Sequence, residues 1–326
     1  MRGSAVGAVV LALLWACAAD ALSQQVPSSE PVPLPTVRGR LRIHARDIVY
    51  PDGTTFRWRG VTAFALLEQI AHGREADAVA YLRWARDTGF NLVRVLAMAD
   101  NLFRLAPDEG RQHLPRLLTL AAEHGLYVEI VALADTASYR MTRTGLRAQV
   151  SAVGVIAAAH ENSVVQVANE HFHPTQTRDV HDPAVLRDLA GLLPPQVLHT
   201  ESAAAEDTAA DPQGQFITQH LSRNGTPISI AARVAELGSL SVRTGKPVVN
   251  DEPIGADERS VPGRRLADPD AFRAISRQER EAGLAGGTFH CQDCLYARIP
   301  GPVQRACARA WIEGAGVRAP AGRRHP

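Results

Sequence analysis

Aromatic side chains are scarce in this chain, 5% of 326 residues, and tryptophan occurs only four times. That is too few to pave a long binding cleft with flat ring faces. An excess of either charge is missing too: Lys and Arg number 35 against 34 Asp and Glu, for a net charge of +1. Without a basic surplus there is no electrostatic footprint for nucleic acid. No polybasic run offers attachment to an anionic membrane surface. The apolar run from Ala5 to Ala16 is too short to span a bilayer comfortably. No metal-ligand spacing such as H-E-x-x-H is present, and no Gly-rich phosphate fingerprint follows the first strand of the folded part.

What is present is 45% hydrophobic residues, ample for a sizeable core in one large domain or two ordinary ones. Residues 1–21 read as a signal peptide: Arg2 supplies the positive end, Ala5 to Ala16 the apolar stretch, and Ala19-Asp20-Ala21 the A-x-A cleavage site. Leu14-Trp15-Ala16-Cys17 also resembles a bacterial lipobox, which would place a lipid anchor on Cys17. Either way the mature protein is expected outside the cytoplasm, periplasmic or extracellular. Residues 22–36, with Gln-Gln, Ser-Ser and four prolines, read as a disordered tether. Residues 316–326 read as a disordered basic tail.

Between them lies one domain, 37–315. Leu41 to Tyr50 and Thr54 to Arg59 flank Pro51-Asp52-Gly53, a hairpin signal. From there strands and helices alternate. Gly60 to Leu66, Asn91 to Leu96, Leu126 to Leu133 and Val164 to Ala168 are the first four strands. Gln196 to Thr200, Gln215 to His220, Pro247 to Asn250 and Ala285 to His290 are the next four. Helical spacing runs over Glu75 to Thr88, Leu114 to His124, Leu146 to His160 and Val303 to Glu313, with Gly89 and Gly125 as stops. Eight strands alternating with helices predict an α/β fold, a parallel sheet with right-handed crossovers closed into a (β/α)8 barrel. His199 and His220 lie only about 20 residues apart, against a crossover minimum of roughly a dozen. The fifth helix, Ala203 to Ala210, must therefore be short.

Two of these strands end on carboxylates. Val164-Val-Gln-Val-Ala168 is apolar enough for a strand buried on both faces and then stops in Asn169-Glu170; Pro247-Val-Val-Asn250 runs into Asp251-Glu252. Barrels and open α/β sheets place their chemistry at the ends of such strands. Glu170 and Glu252 stand about 80 residues apart, near three β/α units of roughly 31 residues each.

Asn91-Leu-Val-Arg94 on strand two, Asn169-Glu170 after strand four and Glu252 after strand seven resemble the clan A retaining glycoside hydrolases. The cellulase-like members, with an N-terminal hairpin closing the barrel bottom, are the most similar. The resemblance implies a carbohydrate substrate, Glu170 as general acid/base, Glu252 as nucleophile, Asn169 on the sugar 2-hydroxyl and Arg94 steadying the nucleophile. It implies no cofactor and no metal. The chemistry asks for such a set. An alkoxide leaves an acetal carbon only when its oxygen is protonated, and the oxocarbenium-like centre needs a negative group facing it. Arg94 would hold Glu252 ionised, and partial burial would keep the proton on Glu170.

The chain departs from that pattern in two places. His220 stands where strand six often ends in Tyr, and Phe289-His290-Cys291 where strand eight often brings Trp. With so few aromatics, a small glycoside or a short oligosaccharide is expected in place of a long polysaccharide. His171, His220 and His290 are candidates for contacting substrate or orienting the acids. His171, His173, His199, His220 and His290 converging at one mouth would instead make a metal-dependent hydrolase. A third reading is a carbohydrate-binding barrel without turnover. Neighbouring strand residues face opposite ways, so Val248 and Asn250 inward with Glu252 would turn Asp251 to the helices. Beyond Cys17, a disulfide among Cys291, Cys294 and Cys307 is expected in an oxidising compartment, with the pairing left open.

Overall fold

The structure is a computed structural model, and it describes residues 36–202, 214–221, 227–251 and 268–317. The signal and tether segments with Cys17, the helix expected at 203–210, Glu252 and the end of the tail lie outside the described residues.

The chain opens with a two-stranded antiparallel hairpin, β1 (Arg42–His44) and β2 (Asp47–Val49). Eight parallel strands follow: β3 (Trp58–Thr62), β4 (Leu92–Leu96), β5 (Tyr127–Leu133), β6 (Ser163–Ala168), β7 (His199–Ser202), β8 (Ile217–Gln219), β9 (Val248–Asn250) and β10 (Gly286–Phe289). Their order is β7-β6-β5-β4-β3-β10-β9-β8. The two ends meet through Gln215 N–H to His199 O at 3.0 Å and a bridge between Thr200 and Gly214. This is the (β/α)8 barrel that the alternation predicts.

The helices are α1 (Leu66–Ala71), α2 (Glu75–Thr88), α3 (Pro107–Glu123), α4 (Arg143–Ala158), α5 (Arg178–His181), α6 (Pro183–Ala190), α7 (Pro227–Thr244), α8 (Pro269–Glu281), α9 (Gln292–Leu295) and α10 (Pro302–Gly314). α2 ends where expected, at Gly89 in the left-handed conformation (φ 107°). α3 starts a full turn and more before Leu114. Pro107 takes the first helical position, Glu109 reaches back to the Ala106 N–H at 2.8 Å, and Pro115 is carried inside the helix. None of the described helices is long and apolar enough to cross a membrane.

Two cores follow from strand alternation. Outward-facing residues such as Val61, Val93, Val95, Val128, Val165 and Val248 pack against the helical layer. The first inward residue of each strand joins Leu41, Ile48 and Phe56 of the N-terminal segment in a separate cluster at the barrel bottom. That cluster contains Trp58, Leu92, Tyr127, Val164, Leu198, Phe216, Val249 and Ala285. The hairpin therefore closes the bottom, leaving the other end as the mouth.

The hairpin turns at Ala45-Arg46 (Ala45 φ 52°), and Pro51-Asp52-Gly53 makes a second turn that leads to a single bridge, Val49 to Thr55. The stretch from Leu41 to Tyr50 is thus itself the hairpin. β3 is correspondingly displaced from Gly60–Leu66: Trp58 N–H bonds Ala285 O of the barrel at 2.9 Å, and residues beyond Thr62 turn into α1.

Candidate active site

One step above the apolar floor, the inward positions turn polar. Arg94 on β4, Glu129 on β5, Gln166 on β6, Thr218 on β8, Asp251 after β9 and Thr288 on β10 are all fully buried. Thr288 faces inward because Gly286 (φ 143°) slips the alternation of β10 by one; a Cβ at Gly287 would meet Glu279 of α8 on the outer side. Gly60 is held free of a side chain by the same layer, since a Cβ there would stand 2.5 Å from Thr288 Oγ1.

A charge buried this deeply needs partners, and Arg94 gathers them. Its Nη2 donates to Gln166 Oε1 at 2.7 Å and to Asn169 Oδ1 at 3.0 Å, and lies 3.5 Å from His220 Nε2. Its Nε lies 3.2 Å from Asp251 Oδ2 and 3.5 Å from Glu129 Oε2. Thr288 Oγ1 donates to Asp251 Oδ1 at 3.2 Å, and Gln166 Nε2 donates to Thr218 Oγ1 at 3.1 Å.

The mouth sits on this layer. β6 ends as Asn169 N–H bonds Leu133 O at 2.9 Å, and Gln176 Nε2 pins the Asn169 carbonyl at 2.8 Å. Glu170 follows with its side chain 27% exposed and Oε1 3.0 Å from Nδ1 of His220. The other ring nitrogen of His220 lies 3.9 Å from Asp251 Oδ2, so one imidazole separates Glu170 from the buried acid. His290, at the end of β10, is 1% exposed and lies 3.0 Å by its Nδ1 from Thr62 Oγ1. His171 bonds Ser202 at the end of β7, through its backbone N–H at 3.0 Å. Arg94, Asn169, Glu170 and His220 thus form one connected group, with His290 beside it on the β10 side.

The expected orientation of Asp251 is reversed. Asn250 points to the helices, where its Nδ2 donates to Glu279 Oε1 at 2.5 Å, while Val249 joins the barrel floor and Asp251 faces Arg94. The described carboxylates beside Arg94 are Glu129 and Asp251; Glu252 lies outside the described residues. His199 opens β7 instead of ending it and bonds Val197 O at 3.1 Å, and His173 bonds Thr175 Oγ1 at 2.9 Å. Among the described residues no group of three or more His, Cys, Asp or Glu is arranged to hold a metal ion. Cys291 and Cys294 form a disulfide across α9, and Cys307 is a buried thiol.

Glu129 is the site member that motif reasoning passed over. The signal was there: Tyr127–Leu133 is apolar except for one acid, and that acid is in register with Arg94, the one charge of β4. Opposite charges in mid-strand on adjacent buried strands mark a polar layer across the barrel.

No family model and no curated protein matches this sequence. Solved structures match in fold. A glycoside hydrolase family 5 protein from Bacteroides vulgatus superposes with TM-score 0.62 at 16% identity, over 80% of this chain and 65% of that one. The chain thus spans less than two thirds of the length of the Bacteroides protein. A beta-glucanase from Saccharophagus degradans, solved with cellotetraose, gives 0.64 at 13% identity over 87% and 98%. A GH5_18 protein from Bifidobacterium longum gives 0.59 at 14% over 80% and 79%. At these identities the likeness is one of fold, and the fold is the cellulase-like (β/α)8 barrel found in family 5 glycoside hydrolases of clan A.

Proposed function

We propose that this chain is an exported retaining β-glycoside hydrolase acting on a small glycoside or short oligosaccharide. Glu170 protonates the leaving oxygen and then deprotonates water; Glu252 attacks the anomeric carbon. The observation that carries this reading is Glu170 itself, a part-exposed carboxyl at the mouth, held by His220 above the buried Arg94 and the half-buried Asn169. An acid/base group must touch both substrate and solvent, and Glu170 is open to both. His220, with Nδ1 3.0 Å from Glu170 Oε1, would fix the rotamer of Glu170.

Asp251 is inward but fully buried and paired with Arg94, so it lacks the access a nucleophile needs. Glu252 follows it in the sequence, and among the described residues sheet pairing on this strand ends at Asp251 N–H to Gln219 O, 2.8 Å. Neighbours solved with cellotetraose and with Manb1-4GlcNAc support a carbohydrate ligand.

A panel of aryl β-glycosides, with and without chelator, tests the activity. A 2-deoxy-2-fluoro glycoside should become attached to Glu252, located by fragment mass spectrometry. Glu170→Gln should lower turnover about 10²–10⁴-fold. Label on Asp251 would move the nucleophile by one residue, and full activity in both Glu170→Gln and Glu252→Gln would end the hydrolase reading. Binding without cleavage would leave a sugar-binding barrel. Export is tested on protein recovered from cells: the mature N-terminus should follow Ala21, or be a lipid-bearing Cys17, and retention of Met1 in the mature chain would rule export out.

A further inference from the structure

Glu129 takes no part in the chemistry proposed above, yet it stands at the centre of the barrel. Its side chain has no solvent exposure, and among the described residues neither of its oxygens meets a donor with hydrogen-bond geometry. Arg94 Nε is 3.5 Å from Glu129 Oε2 and 3.2 Å from Asp251 Oδ2. A guanidinium Nε carries one hydrogen, which can serve one of the two carboxylates and not both. Both acids therefore compete for that hydrogen inside a medium that penalises unshared charge.

We propose that Glu129 is a positioning residue that shares one proton with Asp251 and acts, through that proton and Arg94, on the mouth of the barrel. The hydroxyl of protonated Glu129 donates to Asp251, whose Oδ1 already accepts from Thr288. With one acid neutral, the charges of Arg94 and Asp251 balance. Nε is then held from below, and Nη2 stays aimed at Gln166 and Asn169. Burial first, and then the Asp251 charge, push the Glu129 carboxyl well above the usual carboxylate range; Arg94 and, more weakly, His220 pull the other way. Among the described residues the charged or titratable groups facing it are Arg94 from β4, Asp251 from the end of β9 and His220 from the end of β8. Gln166 and Thr288 are uncharged members of the same layer. The shared proton stands without the hydrolase reading; only its consequence for turnover rests on that reading.

Glu129→Gln replaces the protonated acid by a neutral isostere that still donates, so it should fold with an unchanged melting temperature. At pH 7 the infrared difference spectrum, wild type minus Glu129→Gln, should show the C=O stretch of a buried protonated carboxyl. Glu279→Gln, altered at another buried glutamic acid, should leave that band in place. A wild-type chain lacking the band, or a Glu129→Gln chain that fails to fold, overturns the proposal. In the activity arm, Glu129→Gln should keep the wild-type pH profile, whereas Glu129→Leu, without a donor, should lower kcat roughly tenfold with KM little changed. Wild-type kcat in Glu129→Leu would overturn the positioning role. If the band is present and no glycoside is cleaved, the hydrolase reading falls and the shared proton remains.

Discussion

A carboxyl group buried without a counter-charge favours its proton, and among the described residues the barrel holds such a group on its outer face. Glu279 on α8 is 2% exposed and meets the Asn250 side-chain amide, a neutral donor. Burial pushes its pKa up to about 8, against the smaller opposing effect of the Asn250 hydrogen bond. The sign of the consequence follows from linkage. In the unfolded chain the group titrates near 4.5, so between about 4.5 and about 8 the folded state binds the extra proton. Its contribution to stability is complete below the lower value, declines by roughly 1.4 kcal/mol per pH unit through that window, and is level above it. Glu279→Gln retains an acceptor for Asn250 and removes the titration. Melting curves from pH 4 to pH 9 should therefore show the variant gaining on the wild type across the window and then running parallel. Parallel curves throughout would mean that Glu279 is ionised in the folded chain. Arg94 needs no such device, because Gln166 and Asn169 accept from it and Asp251 lies 3.2 Å from its Nε.

At the scale of elements, the eight strands were legible because buried parallel strands are dense in Val, Leu and Ile and are punctuated by polar ends. Register was less legible than existence. Val248-Val249-Asn250-Asp251 alternates strictly, but which parity faces the axis depends on the neighbouring strands, and Asn250 looked as suited to a sugar site as Asp251. Only the Glu279 carboxyl on α8, far along the chain, draws Asn250 outward. The slip in β10 at Gly286 is of the same kind: a glycine with positive φ shifts every later residue by one face, and Ala285-Gly-Gly-Thr288 carries no mark of which glycine does it. The hairpin was misplaced because Pro-Asp-Gly is a stronger turn signal than Ala45-Arg46, a turn that uses a left-handed alanine. The candidate site was legible in part: Arg94, Asn169 and Glu170 are marked by motif and stand in one connected group. It was illegible at Glu129, which belongs to no motif and is explained by the residue beside it on the next strand.

At the scale of the whole barrel, the apolar floor and the candidate site occupy opposite ends. The floor is apolar, with Ile48, Phe56, Trp58, Leu92, Tyr127 and Phe216 in one cluster, and Phe56 N–H bonds Ile48 O at 2.7 Å. Tyr127 reaches through this floor to donate to Gly39 O at 2.6 Å, tying the N-terminal segment to the third barrel strand. The mouth, with Glu170 and His220, is separated from the floor by the polar layer of Arg94, Glu129, Gln166, Thr218, Asp251 and Thr288. A well-packed interior resists continuous deformation, so a vacancy at the floor should be absorbed locally before it reaches the mouth. Ile48 is fully buried and comes from the hairpin plug, not from a barrel strand. Ile48→Ala removes three carbons from the cluster and should destabilise the fold by about 2–5 kcal/mol, read as a fall in Tm of roughly 5–15 °C. Turnover of whichever aryl glycoside the wild type cleaves should remain within about twofold at temperatures well below the new transition. A parallel loss of kcat in the fully folded variant would show that the polar layer transmits displacement from floor to mouth, and that Arg94 is positioned from beneath by the plug as well as by its neighbours in the layer.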